Sequence, residues 1–134
     1  MDFPARFKKY GPEGYPDLSF QIQVNPTTTE LAALARMGYV AQTAPADATA
    51  EERKAIEAQN AKARTEYGAA LVKAYAGATV GAYGAVFDFS TAEAAIVTLE
   101  NETMPDDLRY WLKSAPADVA IMERDLITKN YRAS

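Results

Sequence analysis

Three short stretches of one layout fix where helices begin: Thr27-Thr28-Thr29-Glu30, Thr49-Ala50-Glu51-Glu52 and Ser90-Thr91-Ala92-Glu93. In each, a hydroxyl residue stands three positions ahead of a glutamate. The hydroxyl accepts from a free first-turn N–H, and the carboxylate reaches back to the N–H of the capping residue. The first start predicts a helix with Leu31, Leu34 and Ala35 on one face, stopping near Gly38. The second predicts a long helix from Ala50 to about Ala76. Ile56, Asn60, Ala63, Tyr67, Ala70 and Ala74 form its stripe, widened by Leu71 and Tyr75. The charged first half of that helix reads as a solvated end, or as a projection that meets another subunit. The third, with Ser90 as cap and Phe89 as the start of a hydrophobic staple, predicts a helix to about Glu100.

Two prolines extend the series. Pro105 suits a first helical turn, with Asp106 and Asp107 at the positive end of the dipole, and that helix carries Leu108, Trp111 and Leu112. Pro116 reads as the opening of a further helix, with Val119, Met122 and Leu126 on one face, Ile121 adjacent, and fraying over Tyr131–Ser134.

Strand signals are fewer. Leu18, Phe20, Ile22 and Val24 alternate with Ser19, Gln21 and Gln23, which predicts a strand with one wet face ended by Asn25-Pro26. Ala85–Phe89 reads as a second strand beside it, and the glycines of 77–84 as a turn. Residues 1–17, punctuated by Pro4, Gly11, Pro12, Gly14 and Pro16, read as an irregular arm, and 39–48 as a mobile loop. The fold class is therefore α+β, mostly α. It is a single domain over 1–134, with one short two-stranded sheet and about five helices, the C-terminal ones forming a compact bundle.

Composition narrows the chemistry. Without cysteine there are no disulfides or thiolate sites, and without histidine the commonest general base and transition-metal ligand are missing. No carboxylate run has calcium-loop spacing, and no Gly-Lys-Ser/Thr follows Gly77, Gly81 or Gly84. The pair Asp106-Asp107 is accounted for by the helix dipole, Asp88 by a wet strand face, and Ser90 by capping. No catalytic, cofactor-binding or metal-binding residue is assigned, and the expectation is a protein that is not an enzyme. A net charge of −4 argues against a nucleic-acid partner, and no apolar run approaches a membrane span or a signal segment, so a cytoplasmic location is expected.

What remains is protein binding. Large apolar side chains are few because much of the apolar content is alanine. Trp111 with Leu108 and Leu112, and the pair Phe87 and Phe89, therefore read as core or as a partner-binding face. Apolar stripes look alike whether buried within one chain or between copies, so a homo-oligomer stays open.

Two stretches carry a resemblance. RFKKYGPEGYPDLSFQIQVNPTTTEL, Arg6 to Leu31, is similar to the opening of small tail assembly chaperones of long-tailed bacteriophages: a Tyr-Pro entry, a strand, Asn-Pro, then a helix. FDFSTAEAAIVTLENETMPDDLRYWLKSAPADV, Phe87 to Val119, resembles their C-terminal part, with a Ser-Thr helix start, a Met-Pro-x-x-Leu helix and an Ala-Pro helix. Together these cover under half of the chain, and the long Ala-rich helix between them has no counterpart in the pattern. The resemblance implies a non-enzymatic role: binding the tape measure protein, keeping its apolar helices in solution and helping to recruit tail tube subunits. Competing readings are a structural subunit of a phage tail or head–tail connector, and a cytoplasmic protein-interaction domain unrelated to phage.

Overall fold

The structure, a computed structural model, describes residues 3–133. In chain order the elements are β1 (Phe7–Tyr10), β2 (Phe20–Gln23), α1 (Thr28–Ala35), α2 (Ala50–Ala74), β3 (Thr79–Ala82), β4 (Ala85–Asp88), α3 (Ala92–Glu100) and α4 (Asp106–Ala133). The α+β class stands, with four helices and two separate two-stranded antiparallel sheets, β1–β2 and β3–β4, among the described residues.

The single expected sheet is thus a correction. Phe20–Gln23 does not pair with Ala85–Asp88; it pairs with Phe7–Tyr10, in register Phe7 with Gln23 and Tyr10 with Phe20, so the expected irregular arm contains a strand. Its glycines and prolines flank the strand and leave Phe7–Tyr10 free to extend. Ala85–Asp88 pairs instead with Thr79–Ala82, inside the stretch read as a turn. The turn itself is only Tyr83-Gly84, both at positive φ (54° and 75°), which is the backbone twist a two-residue hairpin loop requires. In both cases a nearby partner closes a shorter loop than the distant one would.

The helix starts follow the caps. Thr27 accepts from the Glu30 N–H while Glu30 Oε1 accepts from the Thr27 N–H, a complete capping box. Glu30 Oε2 also meets Lys73 Nζ at 2.6 Å, which ties the start of α1 to the end of α2. Thr49 caps α2. For α3 the cap is Thr91, one residue later than expected. Ser90 instead donates its N–H and hydroxyl to Asp88 Oδ1, so Asp88 shapes the turn between β4 and α3 rather than facing water alone.

The expected Pro105 and Pro116 helices are one helix, a second correction: α4 runs through Pro116 without a break. Proline lacks the N–H that would reach back four residues, which orphans the Leu112 carbonyl. The Tyr75 hydroxyl donates to that carbonyl at 2.6 Å, in a fully buried contact. Burial holds the Tyr75 phenol well above its usual range, so it remains a donor. The C-terminal part is accordingly a short helix, α3, beside one long one. The expected fraying over 131–134 meets a helix that continues through Ala133, while Ser134 lies outside the described residues.

An aromatic cluster holds the elements together. Phe20 of β2 packs edge-on against Tyr75, the C-cap of α2 (5.3 Å between centroids), Phe87 of β4 (6.1 Å) and Phe89 (6.0 Å). Tyr75 and Phe89 stack at 4.3 Å. Around them lie Leu18, Ile22, Leu71, Ile96, Leu99, Leu108 and Leu112. Gly68 allows α2 and α3 to touch, since a Cβ there would stand 2.5 Å from the Ala92 carbonyl oxygen. Arg109 of α4 donates from Nε to the Leu99 carbonyl (2.8 Å) and from its terminal nitrogen to Asn101, capping the negative end of α3. The stretch 39–48 carries no helix or strand; Gln42 exchanges two backbone hydrogen bonds with the Asn60 side chain, and Arg53 donates to the Pro45 and Ala46 carbonyls.

Three substitutions probe this account in urea denaturation. Tyr75→Phe leaves the Leu112 carbonyl unpaired and should cost about 1–3 kcal/mol. The loss should shrink in a Pro116→Ala background, where a helical N–H replaces the hydroxyl. Tyr67→Phe should be neutral or stabilising, because the buried Tyr67 hydroxyl has no hydrogen-bond partner among the described residues, and burial alone pushes its pKa up to about 12. Gly68→Ala should destabilise by about 1–3 kcal/mol through overpacking, although alanine is the better helix former.

Candidate functional site

The residues singled out in the sequence as a partner-binding face lie inside the structure. Phe87, Phe89, Leu108 and Leu112 are all at least 96% buried, and Trp111, half-buried, packs against the same core with its ring 6.0 Å from Phe20. This is a correction to that assignment. With so few large side chains available, the core consumes them, and four of the five present no surface to a partner.

The exposed apolar surface is on the second half of α4. Up to Ala120 this helix is embedded, with Leu112, Ala115, Pro116, Ala117, Val119 and Ala120 all buried. Beyond it, Ile121, Met122, Leu126 and Ile127 are exposed by 38–54%. Met122 and Leu126, expected to share a buried face with Val119, are therefore solvent-facing, because they lie on the side of the helix that Glu123's β1 partners leave uncovered. A signal for this was present in the sequence. The adjacent pairs Ile121-Met122 and Leu126-Ile127 each step about 100° around the helix. The apolar arc is then too wide for one packing partner.

A polar tie holds the distal part of α4 to β1. Glu123, 7% exposed, accepts from Lys8 Nζ at 2.7 Å and from the Tyr10 hydroxyl at 3.3 Å, both on β1. The Lys8 hydrogen bond holds the Glu123 carboxyl below its usual range, and the same contact raises Lys8.

This tie separates two flanks of the distal helix. On one, Ala120, Arg124, Ile127 and Thr128 face Arg6, Val24, Asn25, Pro26 and Leu31 across an open groove of about 270 Å³. The groove has an apolar floor and two arginines, and among the described residues no carboxylate lines it. Arg124 Nε stands 3.9 Å from the Asp125 carboxylate. On the other flank, Asp118, Ile121, Met122, Asp125, Leu126 and Lys129 line a shallow, largely apolar trough of about 420 Å³. Arg6, Val24, Pro26, Arg124 and Ile127 were not singled out as site residues by sequence reasoning. They converge only because β1–β2 sits against α4.

A third cleft, of about 530 Å³, lies between the β3–β4 turn and the start of α4. Tyr15, Tyr83, Phe87, Met104, Pro105 and Leu108 wall it, and none of its lining side chains is charged. The Tyr15 and Tyr83 rings meet edge-on at 6.0 Å; the Tyr15 hydroxyl donates to Asp107 and the Tyr83 hydroxyl accepts from the Asp17 N–H. Asp106-Asp107 stand at the first turn of α4, and Asp106 pairs with Arg109 at 3.6 Å. Among the described residues no group of three or more His, Cys, Asp or Glu is placed to hold a metal ion, and no helix is long and apolar enough to cross a membrane.

The chain matches no protein-family model, no curated protein and no solved structure.

The Lys8–Glu123 tie gives a pH dependence with a definite sign. Glu123 is lowered in the folded state, so its contribution is present above the unfolded value, about 4.3, and is lost as pH falls through the lowered one. Lys8 is raised, so its contribution is complete below its unfolded value, about 10.4, and is lost as pH rises through the raised one. Amide hydrogen exchange over Phe7–Tyr10 should therefore quicken selectively below about pH 4. Glu123→Gln should remove that selective acid step.

Proposed function

We propose that this chain is a non-enzymatic tail assembly chaperone of a long-tailed bacteriophage, binding the tape measure protein and helping to recruit tail tube subunits. Two things support the reading. The resemblance of Arg6–Leu31 and Phe87–Val119 to that family is one. The other, which carries the reading on this chain's own geometry, is the groove between the distal half of α4 and the Val24–Leu31 corner.

Val24, Pro26, Leu31, Ala120 and Ile127 provide an apolar floor for the apolar face of a client helix, and Arg6 and Arg124 stand ready for carboxylates flanking that face. A client whose apolar helices are insoluble alone gains by covering them here, and charges at the rim favour encounter and register more than affinity. The half of the resemblance at Arg6–Leu31 falls on this groove, whose wall is the strand, the Asn25-Pro26 corner and the start of α1.

The test is co-expression with the long helical tape measure protein encoded beside this gene. The client should become soluble only with this chain present and should co-purify with it. Ile127→Asp should cut its recovery at least tenfold without changing the thermal melt, since Ile127 is more than half exposed. A client that is equally soluble alone, or that is not retained, sinks the reading. Stoichiometric presence in purified particles would instead favour a structural subunit of the tail or connector.

A further inference from the structure

The second flank of α4 has a property that the client groove lacks: it is complementary to itself. Asp118, Ile121, Met122, Asp125, Leu126 and Lys129 recur at spacings of three, one, three, one and three, so they form one stripe about 16 Å long. An acid opens the stripe and a base closes it. Among the described residues neither Asp118 nor Lys129 makes an ion pair in its own chain.

We propose that α4 pairs antiparallel with α4 of a second copy along this stripe, about a two-fold axis midway between residues 118 and 129. That axis sets Asp118 against Lys129 of the second copy, twice, and brings Ile121 beside Ile121 of the second copy on one side of the seam and Leu126 beside Leu126 on the other. Met122 then lies beside Asp125, over whose stem its thioether chain can pack. The arrangement is isologous, with the same patch used on both sides. A parallel pairing would set Asp118 against Asp118, Asp125 against Asp125 and Lys129 against Lys129, repulsive at all three charged positions. The antiparallel one keeps only the Asp125 pair near the axis, each beside Arg124 of its own chain at 3.9 Å, and gains two Asp118–Lys129 pairs, so charge favours the antiparallel orientation.

The stripe is short, and two such helices bury less than the ~1,200 Å² typical of a stable complex. The dimer is therefore weak and dissociable. It leaves the Arg6–Ile127 groove open on the other flank, so each copy could hold a client while paired. The inference does not rest on the chaperone reading, and it is tested on the purified chain alone.

The experiment is sedimentation velocity from about 5 to 500 µM, a range chosen for a weak interface of this size. The wild-type mass should rise from 14.6 kDa toward twice that value. Leu126→Glu should stay monomeric throughout with an unchanged circular dichroism spectrum. Asp118→Lys and Lys129→Asp should each weaken association at least tenfold. An equimolar mixture of those two variants should regain it, because each supplies the charge the other lacks, and the double variant Asp118→Lys/Lys129→Asp should regain it alone. A wild-type chain that is monomeric at every concentration overturns the proposal, as does a dimer indifferent to these substitutions or a double variant that stays monomeric.

Discussion

Pro116 takes one N–H out of the middle of a 28-residue helix, and the Tyr75 hydroxyl supplies the donor that replaces it. That hydrogen bond joins the end of α2 to the centre of α4 in a fully buried contact. The ring that carries the hydroxyl is at the same time a central piece of the aromatic cluster, stacked on Phe89 and edge-on to Phe20. One side chain thus links β2, α2, the β4–α3 junction and α4. A buried carbonyl without a partner is costly, so the continuity of α4 depends on α2 ending where it does.

That continuity has a consequence for function. Had α4 broken at Pro116, its second half would have been free to fold back and bury Met122 and Leu126 with Val119. Unbroken, it leaves four large apolar side chains exposed beyond Ala120, with Glu123 tied to Lys8 and Tyr10 between them. The surfaces offered for docking, one with arginines at its rim and one with an acid and a base at its ends, are two sides of that stretch. The proposed activities come from helix that the core did not use.

Much of the local structure could be read directly. Thr27 and Glu30 form the expected box, Thr49 caps α2, and the Tyr67–Ala70–Ala74 stripe with Leu71 and Tyr75 faces inward. These signals act within a few residues of chain. The strands were harder. Phe20 and Ile22 alternate as read, yet nothing local says whether their partner is Phe7–Tyr10 or Ala85–Asp88, because both are short and moderately apolar. Gln23, on the face read as wet, is buried. The partner-binding residues were misplaced for a related reason: Phe87, Phe89, Leu108 and Leu112 are the largest apolar groups available, and size alone does not tell a core from an interface.

The sequence by itself therefore determined where helices start, which positions alternate in strands, and which chemistries lack their residues, since capping, side-chain periodicity and composition are properties of neighbours along the chain. Tertiary structure alone decided which strands pair, whether Pro116 starts a helix or sits inside one, and which apolar side chains stay uncovered. Each of those turns on a group far away in sequence: Phe7–Tyr10 opposite Phe20–Gln23, Tyr75 at Leu112, and β1 on only one side of α4 at Glu123. Proline forbids one hydrogen bond; only the surrounding fold determines whether another donor arrives to make it good.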